Sequence, residues 1–247
     1  MIATRILMVI LVLGLSCSGY AVAKPVTDIP SFGAIKDVRS KKKAFFDFMR
    51  PIVQAENDQV MQVRKRLIDI KRGLDKTGRR PSGDDLAFLK RIADEYGVDF
   101  ADPHASASWS HLLAKVDSVP LRLVLAQSAN ESSWGTSRFA RKGLNFFGQW
   151  CFKKGCGLVP ARRGKGQHHE VRVFRSVNAS VAAYLKNINT GRVYAGLRKI
   201  RSQLRKKGEP VTAHQLAGGL SRYSERGQAY VKEIRAMIRV NYKLMMG

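Results

Sequence analysis

The sequence predicts an α+β fold that is mostly α-helical, with one small β element late in the chain. Three observations lead there. Apolar residues recur at helical spacing through Val53, Val60, Val63, Leu67 and Ile70, then through Leu86, Leu89, Ile92, Ala93 and Tyr96, and helical pattern returns from Ser180 onward. Between Trp150 and Gly166 that pattern stops, and Gly155, Gly157, Pro160 and Gly164 mark loops around a small hairpin. The stretch Glu170 to Phe174 then alternates like a strand.

At the start of the chain, Arg5 precedes an apolar run from Ile6 to Leu15, a polar stretch around Ser16 to Tyr20, and the small residues Ala21, Val22 and Ala23. This is the pattern of a secretory signal peptide cut after Ala23. The run falls short of the roughly 20 apolar residues that a membrane-spanning helix needs, and Gly14, Leu15 and Ser16 before Cys17 match a lipidation site poorly. Export to the periplasm or cell envelope is expected.

Further along, Ser40 is placed to cap a helix carrying Phe45, Phe46, Phe48 and Met49, and Pro51 is expected to kink or break it. Helix resumes from Val53 and stops near Gly73 to Gly78. A loop from Thr77 to Gly83 follows, and Ser82 caps a helix that Gly97 ends. The segment Asp99 to Ser108, with Pro103, divides an amino-terminal helical region, 24–105, from 106–247, which carries the chemistry. There Trp109, Leu112, Leu113 and Val116 share a helical face. Asp117 and Ser118 are suited to cap a helix through Leu121, Val124, Leu125 and Ser128, whose last turn holds Glu131. Thr136 opens a short helix ending by Gly143, Ser180 to Leu204 reads as one helix, and two more begin at Thr212 and near Gln228.

The formal net charge is +25, and loss of the leader removes only Arg5, leaving +24. Such a chain attracts polyanions. It has neither zinc-finger spacing nor an aromatic RNA-binding motif, so nucleic acid is not the expected partner. For an exported chain the anions at hand are envelope polymers and lipid headgroups. Cys17 leaves with the leader, and Cys151 and Cys156 form an even pair in an oxidising compartment, which points to a disulfide. A metal pair would need further ligands, and His168 and His169 are adjacent instead of at ligand spacing. Neither metal nor cofactor is expected, and His168, His169 and His214 have no triad partners.

The segment from Gln127 to Trp150 holds the most chemistry. Glu131 lies at a helix end, where the dipole disfavours negative charge, and Trp134 follows three residues on. Desolvation of such a carboxyl keeps its proton toward neutral pH, as a glycosidase acid requires.

Helices around a minor β element, with a Glu at the end of a buried helix, resemble the lysozyme superfamily. The closer resemblance is to the bacterial glucosaminidases, whose signature runs Glu, Ser, Gly, Trp, Gly, then Ser, and shortly afterwards Asn, Asn, Leu, Phe, Gly. Glu131, Ser132, Ser133, Trp134, Gly135 and Ser137 match the first part. Asn145, Phe146, Phe147 and Gly148 match the second, with Leu144 in place of the other Asn. The segments GQWCFKKGCGLVPARR (148–163), HEVRVF (169–174) and SKKKAFFDFMRPIVQAEN (40–57) look like the Bax branch of that family.

The resemblance implies a lysozyme-like domain with a small β lobe that hydrolyses the β-1,4 bond after N-acetylglucosamine in peptidoglycan. Glu131 matches the family's catalytic acid. For the second step two routes are open. Glu170, the only other acid between Glu131 and Phe174, activates water if the carboxyls stand roughly 6.5 to 9.5 Å apart. Alternatively the substrate's own acetamido oxygen attacks, held by a tyrosine hydroxyl. Tyr223 is the first choice for that tyrosine and Tyr230 the second, although LSRYSERGQAYV (220–231) departs from the family's Gly, Tyr, Ala, Thr, Asp, Pro. Trp134, Phe147 and Trp150 are candidates to stack on sugar faces, and Asn145 and Gln149 to hydrogen-bond the sugar or the loop backbone. Phe139 and Phe146 are expected in the core. The rival readings are a muramidase or lytic transglycosylase, and a basic envelope-binding protein without turnover.

Overall fold

The computed structural model describes residues 24–161, 163–164 and 166–247. The leader with its apolar run and Cys17 lies outside them. The described residues form a mostly helical α+β fold with a small three-stranded antiparallel sheet.

Helix α1, Val38–Thr77, runs for 40 residues, about 60 Å at the usual rise. Its cap is Asp37 instead of Ser40, because the Asp37 carboxylate accepts the Ser40 N–H at 2.8 Å. Nor does Pro51 break it. The proline faces solvent, Met49, Ile52 and Val53 beside it are buried, and Arg50 donates to the carbonyls of Met245 and Leu244 at 3.1 and 2.9 Å. Packing on both sides of the missing N–H holds the helix together. Gly78, at φ 64°, closes it. Helix α2, Gly83–Tyr96, begins at Ser82 and ends at Gly97, as the sequence indicates. Helix α3 is Ser106–Lys115.

Next come α4 (Leu121–Glu131), α5 (Arg138–Gly143), α6 (Val177–Thr190), α7 (Ala195–Lys207), α8 (Ala213–Ala217), α9 (Gln228–Val240) and α10 (Tyr242–Met246). The helix expected from Ser180 to Leu204 is two. Gly191 is extended, and a Cβ there would lie 2.8 Å from the Asn187 carbonyl oxygen, so the chain turns sharply before a 3-10 turn, Arg192–Tyr194. Arg198 donates to the carbonyls of Ile188 and Gly191 at 2.9 and 2.8 Å, satisfying acceptors that the break leaves open.

Strands β1 (Trp150–Cys151), β2 (Gly157–Leu158) and β3 (Glu170–Arg172) are ordered β1-β3-β2. The two strands inside 150–166, β1 and β2, therefore do not pair with each other, and the antiparallel neighbours consecutive in sequence are β2 and β3. Both short strands pair with β3, Trp150 opposite Val171 and Gly157 opposite Arg172. Gly157 is needed because a Cβ would lie 2.1 Å from the Val171 carbonyl oxygen. The Cys151–Cys156 disulfide closes the loop between β1 and β2.

Two apolar cores cut across the 105/106 boundary, because α1 serves both. In the larger, Phe45, Phe46, Met49 and Val53 of α1 pack with residues of α4, α6, α8 and α9. In the smaller, Leu67 and Leu74 of α1 pack with Phe88, Leu89 and Ile92 of α2 and Trp109 and Leu112 of α3. Asp117 is not a cap. It is buried between the cores and takes a bidentate Arg205 at 2.9 and 3.1 Å, with Arg64 and the fully buried Arg201 each 3.7 Å away. Arg201 also donates to the carbonyls of Ala114 and Ser118 and to Asn189 Oδ1.

The segment before α1 is fastened to the body. The Val26 N–H donates to Asn178 Oδ1 at 2.9 Å, and the Val177 N–H donates to the Val26 carbonyl at 2.8 Å. Asn178 in turn donates to Glu56 at 3.0 Å. Phe32 lies beneath Gly135, where a Cβ would come within 2.6 Å of its ring. No helix among the described residues is long and apolar enough to cross a membrane.

Candidate active site

Glu131 is the last residue of α4. The chain then makes three consecutive left-handed residues, Ser133, Trp134 and Gly135, at φ 51°, 59° and 74°. Positive φ is costly for the first two, which carry side chains, by about 1–2 kcal/mol each. The turn is held by hydrogen bonds. The Trp134 N–H reaches the Ala129 carbonyl at 2.8 Å, and the Gly135 N–H reaches Ser132 Oγ at 2.8 Å. The Trp134 ring is half-buried and meets Phe45 and Phe46 of α1 edge to face, with the Lys42 ammonium 5.0 Å from its centre. Trp134 thus anchors the turn to α1.

The Glu131 carboxylate ends a directed chain of hydrogen bonds. The Tyr184 hydroxyl donates to Gln127 Oε1 at 2.5 Å, Gln127 Nε2 donates to the Tyr230 hydroxyl at 3.0 Å, and Tyr230 donates to Glu131 Oε1 at 2.9 Å. The Tyr223 ring stacks on Tyr230 with centres 4.9 Å apart, and its hydroxyl also lies against the carboxylate. Burial pushes the phenols of Tyr184, Tyr223 and Tyr230 up, which keeps them neutral donors. Burial also raises the Glu131 carboxyl above its ordinary value. The Tyr230 hydrogen bond opposes that rise, and the charge of Glu233 adds to it. Glu233 stands three residues after Tyr230 on α9 and is paired with Arg226 at 2.7 Å.

The site therefore unites Glu131, Tyr223 and Tyr230. Gln127, Tyr184 and Glu233 escaped the sequence reading, although spacing offered a signal: Gln127 is one helical turn before Glu131, and Glu233 one turn after Tyr230.

Glu170 is placed elsewhere. Its two oxygens accept the N–H groups of Gly155 and Gly157 at 3.0 and 2.8 Å, and these bonds hold its carboxyl below the usual range. Neither a hydrogen bond nor a charge contact joins it to Glu131 among the described residues. With Cys151 and Cys156 it forms a group of atoms within 4.8 Å, but both sulfurs are spent in the disulfide. Asn145 is buried and works on the backbone, donating to the carbonyls of Gln149 and Arg172 and accepting the Phe147 and Gln149 N–H groups. Gln149 donates to the Ser180 carbonyl at 3.0 Å. Phe147, expected as a sugar platform, is buried and stacked on Tyr184 at 4.0 Å, out of reach of a sugar face. Phe146 is in the core as expected, and Phe139 is half-buried. Trp150 is exposed on one face and backed by His169 at 3.8 Å on the other.

One prediction concerns pH. A general acid works only while protonated, so with Glu131 in that role the basic limb of a pH–rate profile would follow its carboxyl. Glu233→Gln removes a negative charge that raises it, and the basic limb should move to lower pH. An unmoved limb, with the fold retained, would show that Glu233 does not act on Glu131.

The family of glucosaminidases described as mannosyl-glycoprotein endo-beta-N-acetylglucosaminidase matches residues 107–243. Protein bax of Escherichia coli (strain K12) is 35% identical over 206 residues, covering 83% of this chain and 71% of that protein. No solved structure gives a significant match.

Proposed function

Because the chain belongs to the glucosaminidase family, we propose that it is an exported glycoside hydrolase that cleaves the β-1,4 bond after N-acetylglucosamine in peptidoglycan. Residues 106–247 carry the chemistry and α1 supports them. The observation that carries this reading is the half-buried Glu131 carboxyl, raised by desolvation and met by the Tyr184, Gln127 and Tyr230 chain.

In its protonated form Glu131 gives its proton to the glycosidic oxygen of the leaving sugar. The negative charge left behind is received by hydroxyl donors already in place, so little reorganisation is needed as it forms. For the second step we favour the substrate's acetamido oxygen as the nucleophile, oriented by Tyr223. What supports this is the placement of Glu170, whose oxygens are both engaged by backbone amides. We assign Glu170 to shaping the disulfide loop. Trp150 is our choice for a sugar platform, with one ring face free. Asn145 and Gln149 hold the loop that presents it.

The test is incubation of residues 24–247, which contain both cores, with purified peptidoglycan, followed by borohydride reduction and mass spectrometry. Newly reduced N-acetylglucosamine ends are expected. Reduced N-acetylmuramic acid ends would make the protein a muramidase, and 1,6-anhydro ends a lytic transglycosylase. Retained binding with no new ends would leave a basic envelope-binding protein.

A further inference from the structure

The loop closed by the disulfide is unlike the rest of the surface. Phe152, Lys153, Lys154 and Gly155 are all exposed between Cys151 and Cys156, and Phe152 is 75% exposed, the most of any large apolar side chain among the described residues. A bare phenylalanine at a projecting tip is not packing. Val159, just beyond β2, is exposed as well. The tip is also fixed in shape. The disulfide closes its base, and the Gly155 and Gly157 amides are bonded to Glu170, so little conformational entropy is lost when it meets a partner.

The sequence on either side of it is strongly basic. From Arg138 to Arg175 the sequence holds ten basic residues and a single acid, Glu170. That acid is buried and occupied by the loop amides. None of the basic residues described in this stretch takes part in an ion pair with a described residue; elsewhere α1 alone has several. An aromatic side chain flanked by lysines on a rigid tip fits a surface that is apolar within and anionic at its rim.

We propose that this loop docks the protein on an anionic phospholipid bilayer, with Phe152 entering the headgroup and acyl boundary and Lys153 and Lys154 meeting the phosphates. The catalytic lobe would then work at a membrane face instead of diffusing free. The inference does not depend on which bond the enzyme cuts.

The experiment is co-sedimentation of residues 24–247 with vesicles of phosphatidylcholine alone and of phosphatidylcholine with phosphatidylglycerol. Binding is expected only to the anionic vesicles and should weaken as salt is raised. Phe152→Ser, at a position with no packing to lose, should lower the partition by roughly tenfold or more. The pair Lys153→Gln and Lys154→Gln should do so by a similar factor. Hydrolysis of soluble glycan fragments should be unchanged in both variants. Equal vesicle binding by wild type and Phe152→Ser would overturn the proposal. So would absence of vesicle binding with Phe152→Ser weakening adsorption to purified peptidoglycan, because the tip would then read glycan.

Discussion

Glu131→Gln is expected to lower the release of reducing ends from peptidoglycan by about 10²-fold or more, the usual worth of a positioned general acid, while leaving circular dichroism and melting temperature near those of wild type. The amide keeps the volume of the carboxyl and still accepts from Tyr230, so the hydrogen-bond chain from Tyr184 survives. What it lacks is a proton that can be given away. Burial already disfavours charge at this position, so the neutral amide should fold at least as stably as the carboxylate at neutral pH. Full activity in the variant would remove Glu131 from the chemistry. Lost activity with a collapsed melting temperature would mean that the side chain serves the fold instead.

Asp117→Ala should have the largest effect on stability. Three arginines converge on this carboxylate, and Arg201 among them is wholly buried. Removing one partner of a buried pair leaves an uncompensated charge, which costs about 3–5 kcal/mol. In a domain of this size that lowers the melting temperature by roughly 10 °C. Asp117→Asn, which retains an acceptor for Arg205, should lose less. Thermal denaturation of the three proteins at neutral pH gives the comparison, and a melting temperature unmoved by Asp117→Ala would show that the cluster contributes nothing.

Much of the fold was legible in local chemistry. Ser82 and Gly97 bound α2 because a serine cap and a left-handed glycine act within a few residues. Thr212 and Gln215 form a capping box at the start of α8 for the same reason. The helix end at Glu131 was legible because α4, the turn after it and Trp134 are contiguous. Features set by distant partners were not. Pro51 looks like a break until Met245 and Leu244 are brought to Arg50 from the far end of the chain. Asp117 looks like a cap until Arg201 and Arg205 arrive from α7. The Gly155 and Gly157 amides on Glu170 are likewise invisible until the disulfide closes the loop that carries them. In the sequence Tyr223 and Tyr230 read as alternatives, whereas stacking puts both beside the same carboxylate.

The helix shared by both cores bears on where the enzyme can be divided. The stretch matched by the family starts at residue 107, after α1 has ended. Yet the floor beneath Trp134 is Phe45 and Phe46, and Leu123, Val124 and Ala126 of α4 share a core with them. A chain cut to begin at 107 would carry α4, the helix that ends at Glu131, with one apolar side stripped bare. Sequence similarity and the folding unit therefore have different edges, and the long amino-terminal helix works as the keel of the family-matched half instead of as cargo joined to it.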